Sequence, residues 1–371
     1  MDNNTQHPTH LQHYVPQKYL QTWCDKDDKM FLCQDGKIKP NMVKTTKVAG
    51  ENFIYSLHDI SLFELKFAID MLERIRLNAY SIQEIVKLVL MPIWFYKKNN
   101  NSQSLKDLSD KIEYLIKKNY LDQETLNLIS NEMIIQNLED LGKIEDIAIR
   151  KKAHIFYEKV NKEGLEGLCQ NVEGDFWPIL DRIIANDKEI FEDKDQYKRC
   201  IEYMMLQYIR TPLLDQKLEN IYKMINKAHP EYNLSNIKNF IKIGYFQKLY
   251  SHIASNTNYK LLIIENNTNT DFLTSDQPII NLCSNVPTDY FDLYFPVTPR
   301  KCIFLNQDDR KDCYPELLCK SPDDIDTLNK KLISNSSRQI FSDSKELLCR
   351  YEDEIKKKWD RTKNDNEQAK Q

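Results

Sequence analysis

The chain has 371 residues, 41% of them hydrophobic and 11% aromatic, enough apolar material for one large domain or two ordinary ones and too much for a disordered chain. Its 52 Lys and Arg stand against 56 Asp and Glu, a net charge of −4 that excludes an overall electrostatic footprint for nucleic acid or an anionic membrane. Only 7 residues are Gly, which disfavours a turn-dense sandwich or barrel and favours long helices.

Residues 1–12 read as a flexible lead-in, polar and without the apolar h-region of a secretory signal. The nine cysteines are odd in number and form no CxxC, which with that polar start predicts a reduced, cytoplasmic protein. The stretch from His13 to Trp23 reads as a short helix or turn entered through Pro16, whose missing N–H costs nothing at the first helical position. Strand-like pieces at 29–33 and 37–39 flank Asp35-Gly36, a two-residue hairpin signal. Residues 48–57 read as an extended segment carrying Glu51.

From about 60 to 255 the pattern is helical. Leu62, Leu65, Ile69, Leu72 and Ile75 recur at spacings of three and four, one apolar stripe. Further stripes cover 105–121, 123–141, 143–163, 175–186, 195–209, 213–227 and 234–254. The richest apolar run, 85–96, contains Lys87 and Pro92 and falls short of the ~18 apolar residues of a membrane span, so it predicts a buried helix.

The character changes near 259. Residues 259–265 are β-branched and apolar, 271–282 read as strand, sharp loop and strand, and 290–299 and 301–305 as further strands. The stretch 321–342 predicts a helix with Ser321 as N-cap, Pro322 at the first helical position and acids in the first turn. The predicted class is therefore α+β, predominantly helical, with a small sheet built from N-terminal and C-terminal strands, because short strand groups rarely stand alone. The expected organisation is a single domain over 13–350, with a β-containing start (13–60), a helical middle (60–255) and an α+β end (256–350). Residues 351–371 read as a charged tail.

Six blocks lie in order along the chain: His13-Tyr14-Val15-Pro16-Gln17 with Tyr19-Leu20; Glu51-Asn52-Phe53-Ile54-Tyr55; Gln207 to Arg210 with Thr211-Pro212; Thr274-Ser275-Asp276-Gln277-Pro278; Phe295-Pro296 with Thr298-Pro299; and Asn335 with IFSDS at 340–344. In these blocks the chain resembles the DUF4238 family, whose opening signature is HYVP. Trp23 stands where an aromatic such as Phe is expected, a conservative departure. The resemblance spans about 13 to 344. It brings no established active site, so roles must come from residue chemistry.

The polar members of the blocks suit proton transfer and an anionic substrate. His13 suits general acid or base work. Asp276 suits orienting His13 or, with Glu51, holding Mg²⁺. Arg210 suits a bidentate grip on phosphate, and Tyr14 suits hydrogen bonding or stacking on a base. Gln17, Gln207 and Ser275 complete the substrate-binding set. The competing reading is that these residues pin the fold: Ser-Asp-Gln-Pro is ordinary turn chemistry, and an Arg at a helix end caps carbonyls.

Other signals are weaker. His7, His10 and His13 are interrupted by Pro8, and Arg150 and His154 are spaced like a solvated helix face. Phosphate-cradling GxxxxGK[ST] and GxGxxG loops, a GxSxG elbow and zinc-type cysteine spacing are all missing from the sequence. The set points to a nuclease-like or nucleotide-modifying effector acting on a phosphate-containing substrate, in prokaryotic anti-phage defence or as a toxin. The alternative is a non-catalytic ligand-binding or sensor module, or a partner subunit. The expected partners are a nucleic acid or nucleotide and a second protein chain, its own copy or another, without a membrane.

Overall fold

The computed structural model describes residues 11–52, 60–86, 102–121, 147–187, 189–228, 230, 237–283, 291–307 and 319–368. The chain opens on β1 (Leu11–His13), the one-turn helix α1 (Gln17–Leu20) and a 3-10 turn (Gln21–Trp23), followed by β2 (Lys29–Gln34), β3 (Lys37–Ile38), β4 (Val43–Lys44) and β5 (Gly50–Asn52). Helices follow: α2 (Leu62–Arg74), α3 (Ala79–Ile85), α4 (Ser102–Lys117), α5 (Ile147–Ile184), α6 (Lys194–Ile209), α7 (Pro212–Ala228) and α8 (Lys238–Ser255). Then come β6 (Tyr259–Glu265), β7 (Thr274–Ser275), β8 (Ile280–Asn281), β9 (Leu293–Thr298), β10 (Lys301–Gln307), α9 (Pro322–Asn335), β11 (Gln339–Ser342), α10 (Lys345–Arg350) and α11 (Glu352–Gln368). The class is α+β, as the sequence predicts.

Two compact units divide the chain. One comprises Met1–Gln12, Asn52–Gln170 and Lys217–Ser251; the other comprises His13–Glu51, Asn171–Gln216 and His252–Gln371.

In the first unit, α2 starts with a capping box: the Ser61 hydroxyl accepts the Glu64 N–H, and the Glu64 carboxylate accepts the Ser61 N–H at 2.6 Å. Its stripe buries Leu65, Ala68, Ile69 and Leu72, close to the expected set, while Ile75 falls at the C-cap. On α8, a Cβ at Gly244 would collide with the end of the Leu72 side chain, so Leu72 fills the space this glycine leaves. The stripe expected at 123–141 and all but the first two residues of the apolar run 85–96 lie outside the described residues.

The sequence separates 143–163 from 175–186, but the structure runs one helix, α5, through Pro178. The buried positions Leu165, Cys169, Val172, Phe176, Ile179, Leu180 and Ile183 explain why. They follow an unbroken three-and-four spacing, and this face outweighs the local cost of proline.

In the second unit, Asp35 and Gly36 both take positive φ (50° and 78°), as a tight hairpin turn between β2 and β3 requires. Strand β11 pairs antiparallel with β2, Phe31 opposite Ser342 and Cys33 opposite Ile340, and also pairs with β7. N-terminal and C-terminal strands thus share one sheet, of order β3-β2-β11-β7 with β4 beside β2. The expectation of a single small sheet is corrected: β6-β10-β9-β8 form a second sheet from C-terminal strands alone, and β1 pairs with β5. Its strands β9 and β10 are mostly buried and joined by a tight turn at Pro299-Arg300, so they close on each other and on β6 without N-terminal help.

Two C-terminal expectations also change. The helix begins as expected, with Ser321 in a capping box and Pro322 at its start, but ends at Asn335, and 339–342 is strand. The cause is Asp276, whose carboxylate accepts the N–H of Ser337 at 2.7 Å, of Arg338 at 2.5 Å and of Gln339 at 2.9 Å. These groups would otherwise need helical or solvent partners. Residues 352–368, expected as part of a charged tail, are the helix α11, because Tyr351, Ile355 and Trp359 recur every four residues and are buried.

Candidate site around His13

His13 ends β1, and its Nδ1 lies 3.0 Å from the Val48 carbonyl. A carbonyl only accepts, so Nδ1 carries the proton and Nε2 the lone pair. Burial pushes the imidazole below its ordinary value; the Val48 bond and Glu173 oppose that shift, and Arg210 adds to it. The ring is therefore neutral at pH 7.

The next residue faces other partners. The Tyr14 N–H donates to Ala49 O at 2.9 Å, and Tyr14 O accepts from Gln207 Nε2 at 2.9 Å. Gln207 Oε1 in turn accepts from Arg210 Nε at 2.8 Å, and Arg210 Nη1 meets Glu173 Oε1 at 2.5 Å. His13, Tyr14, Gln207 and Arg210 are thus joined through backbone and side chain, with Glu173 of α5 as the carboxylate. The Tyr14 phenol is buried, and burial first, then the charges of Asp276 and Glu51, raise it far above its ordinary value.

Several expected roles are corrected here. Asp276 does not orient His13: its carboxylate is fully buried on the backbone of 337–339. Burial pushes its carboxyl above the usual carboxylate range, against those N–H groups and the nearby Lys358. Arg210 is 2% exposed and committed to Glu173 and Gln207, so its fork is not presented to solvent phosphate. Tyr14 is 4% exposed and offers no ring face for stacking. Ser275 is buried, its hydroxyl donating to Gln277 O at 2.9 Å and accepting the Gln277 N–H. Glu51 stands exposed on β5, and Gln17 is half-buried at the start of α1. Among the described residues no group of three or more His, Cys, Asp or Glu is placed to hold a metal ion.

Four of the six sequence blocks, the first, third, fourth and fifth, interlock. The Tyr19 hydroxyl donates to Pro296 O at 2.6 Å and lies 2.6 Å from Thr274 Oγ1, joining the first, fourth and fifth. Thr22 adds a bond to Val297 O at 2.6 Å. The Thr211 hydroxyl donates to Gln277 Oε1, joining the third and fourth, and Gln277 Nε2 donates to Ile279 O at 2.7 Å.

A family model described as a protein of unknown function, DUF4238, matches residues 11–346. The chain belongs to the DUF4238 family. No curated protein and no solved structure matches it. The DUF4238 match takes in every residue of the His13 network and stops short of α11. No helix among the described residues is long and apolar enough to cross a membrane.

Three residues of the site escaped the sequence. Glu173, Trp177 and Tyr203 lie on α5 and α6, outside every block, amid ordinary amphipathic spacing. Tyr203 is buried and stacks on Phe176 with ring centroids 3.8 Å apart and planes 4° from parallel. Burial raises its phenol far above the ordinary value, and Arg210 and Glu173 both act on it. Lys358, half-buried with its ammonium 4.3 Å from the Trp359 ring centroid, donates to the Ser336 carbonyl and is pushed down to about 8 by desolvation, against the pull of Asp276.

Proposed function

We propose that this DUF4238 chain is a nuclease-like or nucleotide-modifying effector that acts on a phosphate-containing substrate, with His13 as its proton-transfer group. The observation that carries this is the state of His13: neutral through burial, with Nδ1–H fixed on Val48 O and the lone pair on Nε2. A base must start neutral and be stabilised once charged. Glu173 does the second, since its charge favours protonated His13. Arg210 holds Glu173 in place rather than gripping phosphate itself.

In the proposed step, Nε2 takes a proton from water as its oxygen attacks phosphorus. The P–O bond to the leaving group breaks, and the electron pair leaves with that oxygen. Glu173 steadies the imidazolium until the leaving oxygen takes the proton back.

A second reading is a non-catalytic binding or sensor module, and one observation weighs against direct catalysis by four of the expected residues. Gln207, Arg210, Ser275 and Asp276 are each 3% exposed or less and bonded within the protein. The test is expression in a heterologous bacterium, with purified protein assayed in parallel on RNA, DNA and nucleoside triphosphates. Toxicity and turnover that disappear in His13→Ala, at equal protein level and unchanged melting temperature, support the enzyme. Turnover that survives His13→Ala contradicts it. Ligand binding without turnover in the wild type favours the sensor.

A further inference from the structure

Beside the His13 network the fold leaves one aromatic face in part open. Trp177 follows Glu173 by four residues on α5, so the two share a helix face. Trp177 is half-buried, whereas Trp23 and Trp359 are buried. Its ring stands edge-on to Tyr203, with centroids 5.7 Å apart and planes at 62°. The Tyr203 hydroxyl, 1% exposed, has no hydrogen-bond partner among the described residues and lies in the field of Arg210 and Glu173. One turn before Trp177, a Cβ at Gly174 would meet nothing within 4 Å, so the floor beside the indole is bare backbone. Lys18 Nζ sits 5.7 Å from the ring centroid, and its other partner is Asp181 at 3.5 Å. Both of these charged residues are exposed, and such a pair is loosely held.

We propose that Trp177 is the stacking platform for the base of a nucleotide and that Lys18 receives its phosphate. This rests on the phosphate-substrate reading above and narrows it to nucleotides. A flat base bears on the indole over Gly174, displacing Lys18 from the ring. The displaced ammonium exchanges the exposed Asp181 carboxylate for phosphate. Base stacking on an aromatic tolerates any base, so no strong base preference is expected.

The test is calorimetric titration of the full chain with AMP, UMP and ribose 5-phosphate, and with a dinucleotide to separate free nucleotides from nucleic acid. Wild type is expected to bind both nucleotides at least about tenfold more tightly than ribose 5-phosphate. Trp177→Leu is expected to lose that advantage and Trp177→Phe to retain most of it, which separates stacking from a packing defect. Dinucleotide binding tighter than AMP identifies a strand as the ligand; equal binding identifies the free nucleotide, and both fit the proposal. Ribose 5-phosphate binding as tightly as AMP, or Trp177→Leu binding AMP like wild type, overturns the stacking role and leaves the phosphate reading standing. If none of the four compounds binds and no phosphate compound is turned over, both readings fall.

Discussion

Arg210 and Glu173 form an ion pair at 2.5 Å with 3% and 17% of their side chains exposed, from helices that meet beside His13. A pair this dry is held by geometry, because desolvating both charges offsets much of their attraction. Its work is positional: it fixes the carboxylate that acts on His13 and, through Gln207, the backbone of Tyr14.

Breaking this pair from one side is expected to cost more than removing a surface bridge. Glu173→Gln leaves the Arg210 charge buried beside a neutral amide, with an expected loss of about 3 kcal/mol in urea unfolding. A loss under about 0.5 kcal/mol, typical of an exposed pair, would show that water screens the site.

Asp276→Asn tests the carboxylate that converts helix to strand. The amide keeps the shape but cannot accept three N–H groups with a full charge, so about 3 kcal/mol should be lost. Hydrogen exchange at the Ser337, Arg338 and Gln339 amides should accelerate. Unchanged protection there would assign the end of α9 to another cause.

Lys358 gives stability a pH signature. Its ordinary value of 10.5 falls to about 8 in the fold. Between those values the unfolded chain binds more protons, so this group's contribution to stability rises as pH rises through the window. The stability of wild type relative to Lys358→Met is therefore expected to rise from pH 8 to 10.5 by something on the order of 3 kcal/mol. A difference that stays flat with pH would place the amine in water.

Gly36→Ala tests the hairpin. The residue holds φ at 78°, and an added Cβ would stand 3.1 Å from Trp359 Cγ. A loss of roughly 1–2 kcal/mol in thermal unfolding is expected from the left-handed backbone and the tight contact. Trp359→Ala in the same background should relieve the contact part of that loss and leave the backbone part.

The order of elements was legible where a local rule decided it. Asp35-Gly36 can make few other turns, Ser321-Pro322 starts a helix wherever acids follow, and β9 and β10 are apolar runs around a Pro turn. Reading failed where a distant partner decided. Helix α9 continues in local propensity past Asn335, and distant partners end it, Asp276 about 60 residues earlier and Lys358 on the Ser336 carbonyl. Pro178 looks like a break until Phe176 and Ile179 are seen on a buried face. The same holds for the site. His13 and Arg210 were visible because they stand in the DUF4238 blocks, whereas Glu173 and Tyr203 sit on helices with no motif. The blocks mark what the fold needs to close, and Tyr19, Gln277 and Asp276 satisfy that need. They do not mark every group beside His13.

The central claim is that His13 is a neutral base with its proton on Nδ1. Nitrogen-resolved NMR of histidine-labelled protein measures this directly, with His13→Gln identifying the resonance. The expected result is an Nδ1-protonated neutral ring with a titration midpoint below the usual ~6.5, because burial disfavours the cation. A ring protonated on Nε2 when neutral, or still charged at pH 7, would contradict the account.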